Sequence, residues 1–306
     1  MGSEIKGNKS NKKNIKPRNK RSKKKFEHWL LLIPTLIVFV FFFIIPLIFL
    51  GVSSFRTFDS VDGIGDTWTL SNYTRFLTDP YYLGVLWTTI KIGILTTVIC
   101  LIISYPVAYV ISQLTGNTRN YLTLIMISPL LISMVIRAYG WRIILNNNGV
   151  INNFLMEIGL IDAPLKLLYT EFSVIVGMVH VLFPYMVLSI IGSLERIDPS
   201  VTRAANSLGA NQFRTFFNVT LPLSLPGIFA GSILVFSLTT SSFVTPAILG
   251  GSQVKVMAYL TYEHVQVLLN WPFGGAIGFI LIIIISITLL LYSRALTKLN
   301  KGVTIQ

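Results

Sequence analysis

Apolar residues gather in six blocks along the chain, at about residues 29–55, 83–113, 121–145, 172–192, 225–249 and 272–296. Each block is long enough to cross a bilayer as a helix, which takes about 20 residues. The pattern predicts an all-α polytopic membrane protein with six transmembrane helices. Pro34 and Pro46 lie inside the first block, Pro129 in the third and Pro184 in the fourth. Each removes a backbone hydrogen bond and permits a bend. No short-period internal repeat is present.

The polar passages between blocks differ in character. Residues 56–82 carry Asp59, Asp62, Asp66 and Asp79 among the turn residues Gly63, Gly65 and Pro80. Residues 146–171 open on Asn146-Asn-Asn-Gly149. Val150, Ile151, Phe154, Leu155 and Ile158 then predict a short amphipathic surface helix. Residues 250–271 open on Gly250-Gly251 and close on Trp271, beside Pro272, a suitable interfacial anchor. The longest amphipathic passage of the second half runs from Arg203 to Ile228. It predicts two short helical pieces hinged at Gly209 and stopped by Pro222. Ala204, Ala205 and Leu208 fall on one face of the first piece, and Phe213, Phe216 and Phe217 on one face of the second. So ordered a loop between apolar spans is a docking element.

Charge orients the chain. Of the 25 Lys and Arg residues, eleven lie within residues 1–25, and seven more fall on the same side of the predicted spans. Only Arg56, Arg75, Lys166 and Lys255 fall on the other side. The positive-inside rule therefore places both termini and the Arg203–Ile228 passage in the cytosol. Residues 1–28 are expected to be a disordered basic tail that touches anionic lipid rather than nucleic acid. The first apolar block is longer than a signal-peptide core, and no cleavage site follows it, so it is expected to be a retained span.

Composition narrows the function. The chain is 53% hydrophobic, with mean hydropathy +0.68, and only 12% charged. Soluble domains average about 25% charged residues. One cysteine, Cys100, excludes an internal disulfide framework, and His28, His180 and His264 form no zinc motif. No phosphate loop, His-Glu-x-x-His or Gly-x-Ser-x-Gly occurs. The chain is therefore expected to be no enzyme, with no catalytic residue, no metal and no cofactor. If transport uses ATP, another subunit supplies it.

Charges within spans are costly and mark candidate sites. Three are basic: Lys91, Arg137 and Arg142. Lys91 and Arg142 are read as reaching outward to headgroups. Arg137 either faces a polar path or pairs with an acid on a partner. Gly140 should loosen the helix there, and Tyr139 and Trp141 could line a cavity. In the fifth block Ser237, Ser241 and Thr245 recur every four residues, a hydroxyl stripe that lines a solute path or joins helices.

The Arg203–Ile228 passage resembles the cytoplasmic "EAA" loop of binding-protein-dependent ABC importer permeases. Ala204, Ala205, Gly209, Val219, Leu221, Pro222, Pro226 and Gly227 match that pattern, whereas Arg203 stands where the family has Glu. Arg137-Ala-Tyr-Gly-Trp141 and Phe243-Val-Thr-Pro-Ala-Ile-Leu-Gly-Gly251 are similar to the spermidine/putrescine permease B-type subfamily, and the likeness extends over about residues 29–296.

The resemblance implies the type I ABC importer permease fold over 29–296, with a short cytosolic tail at 297–306. It implies a coupling loop at about 194–222 that docks on the ATPase through Arg203, Ala204, Ala205, Leu208, Gly209, Ala210, Phe213, Leu221 and Pro222. Arg203 does not inherit the Glu role. The implied partners are two copies of an ABC ATPase subunit, a second homologous permease and an extracytoplasmic solute-binding protein, all at the cytoplasmic membrane. The implied solute is a polyamine. Three intramembrane cations, with acids only near the outer ends at Glu171 and Glu263, leave two arrangements open. Selectivity resides in the binding protein and partner permease, or the solute is an anionic carboxylate or phosphonate. The reading from another class is a stand-alone secondary transporter or channel, whose intramembrane acid relay is missing.

Overall fold

The computed structural model describes Gly2 and residues 33–303, with side chains to Arg294. The rest of the basic tail at 1–28, the first few residues of the first apolar block and the last three residues of the chain lie outside the described residues. The regular structure of the described residues is helical apart from one isolated antiparallel bridge, Arg56 with Trp68. The chain divides into two units, Met1–Phe49 and Leu50–Gln306.

The helices, in chain order, begin with α1 (Ile33–Ser53), α2 (Ser71–Thr78), α3 (Pro80–Gln113) and α4 (Gly116–Ile127). Next come α5 (Met134–Ile144), α6 (Val150–Glu157), α7 (Glu171–Leu194) and α8 (Pro199–Ser207). The last four are α9 (Gln212–Ser241), α10 (Val244–Leu249), α11 (Met257–Tyr262) and α12 (Trp271–Val303). Five of these are long and apolar enough to span a membrane: α1, α3, α7, α9 and α12.

The third apolar block is not one helix. The piece Gly116–Leu131 meets α5 at a bend of 90°. Pro129 enters a 3₁₀ turn at Ser128–Leu131, and Ile132 then turns extended, with ψ 136°. The break therefore lies upstream of Gly140, through which α5 runs without interruption. A proline without an N–H explains why the turn tightens there.

Two other prolines are absorbed rather than obeyed. Val40–Ile44 and Phe216–Thr220 are π-helical turns, and each stands immediately before a residue pair that ends in proline, at Pro46 and Pro222. Ile45 N–H reaches Val40 O, and Leu221 N–H reaches Phe216 O. The wider turn relieves the clash between the proline ring and the carbonyl four residues back. Pro222 thus does not stop the helix: the second half of the polar passage continues into the fifth span as one 30-residue helix. That span ends at Ser241, earlier than the apolar pattern implied, because Ser242 turns extended (ψ 134°) before α10 begins.

The core is a three-helix contact of α3, α7 and α9. Ile92, Cys100, Ala108, Met178, Met186, Ile190 and Val235 are buried in it. Close approach is set by Gly227 and Gly231, four apart on α9. A Cβ on Gly231 would stand 2.6 Å from Met186 Sδ, and one on Gly227 would meet Ser189 O at 2.6 Å. Small residues at this spacing let membrane helices pack backbone to backbone. The buried hydroxyls of Thr97, Thr239 and Thr240 are satisfied by donating to carbonyls four residues back, whereas those of Thr96, Ser237 and Thr245 have no partner among the described residues. A second cluster, with Phe76, Tyr82, Met257, Leu260 and Phe273, ties α2, α3, α11 and α12 together.

Candidate functional site

The arm between α7 and α9 is built by local hydrogen bonds. Asp198 caps α8 by accepting from Ser200 N–H at 2.8 Å, and Asn211 caps α9 by accepting from Arg214 N–H at 2.8 Å. The Ser200 hydrogen bonds, aided by the Arg203 charge, hold the Asp198 carboxyl below its ordinary value. Gly209 sits at φ +86° between the two pieces, a conformation that glycine adopts without strain. Thr215 Oγ1 donates to Asn206 Oδ1 at 2.9 Å and joins the pieces across that hinge.

The three phenylalanines of the arm do not share a face. Phe216 turns inward and meets the rings of Tyr105 and Tyr109 on α3 edge-on, at 5.6 and 5.4 Å. Phe213 and Phe217 lie side by side facing outward, with ring centroids 4.7 Å apart and planes tilted by 51°. Phe217 keeps the i,i+4 relation to Phe213, while Phe216, about 100° round the helix from its neighbour, falls on the side of α3. Leu208, just past α8, is 89% exposed and Phe213 is 74% exposed. Arg203 and Ala204 are exposed; Ala205, Ala210, Leu221 and Pro222 are half-buried. At the base of the arm Arg119, in the first turn of α4, pairs with Glu195 at the end of α7. A cleft of about 710 Å³ opens beside this pair, lined by Tyr109, Gln113, Asn206 and Thr220.

A second cavity, of about 340 Å³, lies where the broken third span meets α7 and the end of α9. Arg137, Met178, Tyr185, Ser241, Ser242 and Phe243 line it. Arg137 Nε and Nη1 are shielded from solvent and have no hydrogen-bond partner among the described residues. Trp141, one turn along α5, donates its indole N–H to His180 Nδ1 at 2.9 Å. His180 thus belongs to this group, although nothing in its local sequence marks it. Tyr139 is half-exposed, within 5.8 Å of the Arg142 guanidinium.

The hydroxyl stripe is interrupted. Ser237 and Ser241 share α9, where Ser241 Oγ donates back to Ser237 O at 2.8 Å. Thr245 lies beyond the break on α10, is 1% exposed and packs toward Gly177 of α7. A period of four aligns side chains only while one helix continues.

Three other cations, Lys91, Arg142 and Lys255, find partners. Lys91 does not reach to headgroups: its ammonium lies 2.6 Å from Glu171, at the start of α7. Arg142 stands over the Tyr139 and Tyr169 rings. Lys255 meets both oxygens of Glu263, at 3.0 and 2.8 Å. The predicted surface helix at 150–157 is present, but Asn152 organises it. This fully buried side chain bonds Asn146 O, Leu165 O and Leu165 N–H, while Val150 and Phe154 face outward.

Residues 114–304 match the family described as binding-protein-dependent transport system inner membrane component. The chain is 34% identical over 267 residues to the spermidine/putrescine transport system permease protein PotB of Haemophilus influenzae, covering 87% of this chain and 93% of that one. It is 34% identical over 271 residues to PotB of Escherichia coli (strain K12), covering 89% and 97%. Among solved structures, a bacterial alginate ABC transporter bound to its alginate-loaded periplasmic protein gives a TM-score of 0.76 at 19% identity. That match covers 91% of this chain and 98% of the other.

Proposed function

Because this chain belongs to the binding-protein-dependent transport system inner membrane components, we propose that it is the permease subunit of an ATP-driven polyamine importer. As in that family, it is a multi-pass, non-catalytic subunit, and ATP hydrolysis falls to a partner. Its premise for the solute is the 34% identity, nearly end to end, with two PotB permeases whose names give spermidine and putrescine.

The coupling site is the arm Pro199–Pro222. Leu208 and Phe213 project from it into solvent, and exposed apolar side chains of this size favour a protein groove. Phe216, the π turn and the Thr215–Asn206 bond make the arm continuous with α9. A push on Phe213 is then carried along one helix to Ser241, at the rim of the cavity. The Arg137 cavity is the segment of the path that this motion opens and closes, with alternation between inward-open and outward-open states. Ser241, beside Ser242 and Phe243, lines it.

The test is a tagged chain expressed with its neighbouring subunits. Copurification of two ATPase copies, a second permease and ATP-dependent spermidine uptake are expected. A chain that purifies alone and transports without ATP would refute the importer reading. A second reading, an anionic solute, is favoured by the unpaired nitrogens of Arg137. Uptake of a carboxylate or phosphonate, with none of spermidine, would select it.

A further inference from the structure

We infer that Lys255, Glu263 and Tyr259 form an ammonium-exchange site, in which a primary ammonium of the arriving cargo replaces Lys255 on Glu263. The inference rests on the polyamine reading above.

The Lys255 ammonium is already held as a small amine ligand would be. Glu263 offers both carboxylate oxygens, at 3.0 and 2.8 Å, and the Tyr259 ring lies 5.7 Å from Nζ. The Tyr81 hydroxyl is a further partner. Burial opposes the charge on Lys255, but Glu263 and Tyr81 outweigh it and hold the ammonium above its ordinary value. Carboxylate, phenol and aromatic face together are the chemistry that binds alkylammonium groups. The side chains of the pair remain 23% and 26% exposed, so water and solute reach them.

The backbone presents this carboxylate in an unusual way. Glu263 opens a π turn, Glu263–Val267, and Leu269 just beyond it adopts φ +54°. Such turns recur where a side chain must be aimed.

The site also leads somewhere. Tyr259 lies 6.4 Å from Tyr262, centroid to centroid, and Tyr262 stacks on Phe243 at 5.0 Å and 16°. Phe243 lines the Arg137 cavity. A line of three aromatic faces therefore joins the carboxylate to the cavity, on the side that the charge distribution places outside. Each face attracts an ammonium weakly, which suits a group that must leave again. Lys255, tethered beside Glu263, acts as the competitor that releases the cargo.

Complete importers in proteoliposomes, with ATP inside and limiting spermidine-loaded binding protein outside, test this. Glu263→Gln preserves volume and removes the charge. It should slow spermidine uptake about tenfold, the loss of one charge-assisted hydrogen bond, while the loaded binding protein still stimulates ATPase activity. Lys255→Met removes the competitor and should raise uptake about threefold. An ion pair that serves structure alone responds in the same direction to both variants, because each strands the other charge. Equal impairment by the two, or a Glu263→Gln rate within about twofold of wild type, overturns the inference. If Glu263→Gln does not assemble, Tyr259→Leu decides: about a threefold loss supports the site, and no loss overturns it. A wild-type complex that takes up no spermidine removes the polyamine reading and this inference together. Wild-type uptake with unresponsive variants removes this inference alone.

Discussion

Trp141 and His180 are joined across two helices, indole N–H to imidazole Nδ1, at 2.9 Å. The contact fixes His180 as an acceptor at Nδ1, so the ring proton sits on Nε2. It also pins α5, the turned half of a broken span, against α7. Trp141→Phe keeps the ring and deletes the donor. A loss of about 1 kcal/mol is expected, seen as faster amide exchange across Met134–Ile144 with α7 unchanged. Unchanged exchange in α5 would show that the bond does not hold it.

Phe213 and Phe216 are three residues apart and should behave oppositely. Phe216→Ala removes a ring packed on Tyr105 and Tyr109 and should cost about 2 kcal/mol, read as a lower Tm in detergent. Phe213→Asp touches no core residue. It should leave Tm unchanged and reduce ATPase copurification about tenfold or more. Retained copurification would move the docking surface elsewhere.

Gly227→Val should be the most disruptive single change on α9. Its side chain meets Ser193 and the Ser189 carbonyl of α7, a backbone group that cannot turn aside. Overpacking of this kind costs about 1–3 kcal/mol. Loss of folded yield, with Gly84→Val near wild type because nothing lies within 4 Å of its Cβ, checks it.

Arg137→Met removes a positive charge from the cavity without breaking any hydrogen bond of Nε or Nη1. For a polycationic cargo the electrostatic barrier falls, so spermidine uptake should rise about threefold or more while assembly is unchanged. A fall in uptake, or uptake lost for an anionic solute, would show that the guanidinium binds cargo rather than resisting it.

Asp198 supplies a pH-dependent cap. Its carboxyl lies below the ordinary value of 3.8 because the Ser200 hydrogen bonds favour the charged form. A depressed folded-state value means that the cap's contribution is complete above 3.8 and is lost as pH falls through the lower, folded value. Amide exchange at Ser200 and Val201 should therefore stay slow through 3.8 and quicken only below it, in isolated protein. Asp198→Asn should abolish that dependence. Fraying that begins well above 3.8 would exclude the cap as its cause.

By itself the sequence determined where the chain is apolar, which side is basic, and that an amphipathic, glycine-hinged arm interrupts the spans. Those properties are local. Six apolar blocks require burial in lipid, excess Lys and Arg stay in the cytosol, and Gly209 accepts a positive φ. The family pattern at Ala204–Gly227 was legible for the same reason. The tertiary structure alone decided the rest. Pro129 broke its span, whereas Pro46 and Pro222 were absorbed by π turns, an outcome that no proline announces in advance. Ser242 ended α9 and set Thr245 on another helix, so a regular spacing no longer meant a shared face. His180, Glu171 and Glu263 acquired their roles from residues 39, 80 and 8 positions away. Helix periodicity is written within four residues of each position; which side chains meet across helices depends on packing between distant segments, and that is where the cavity and the ion pairs arise.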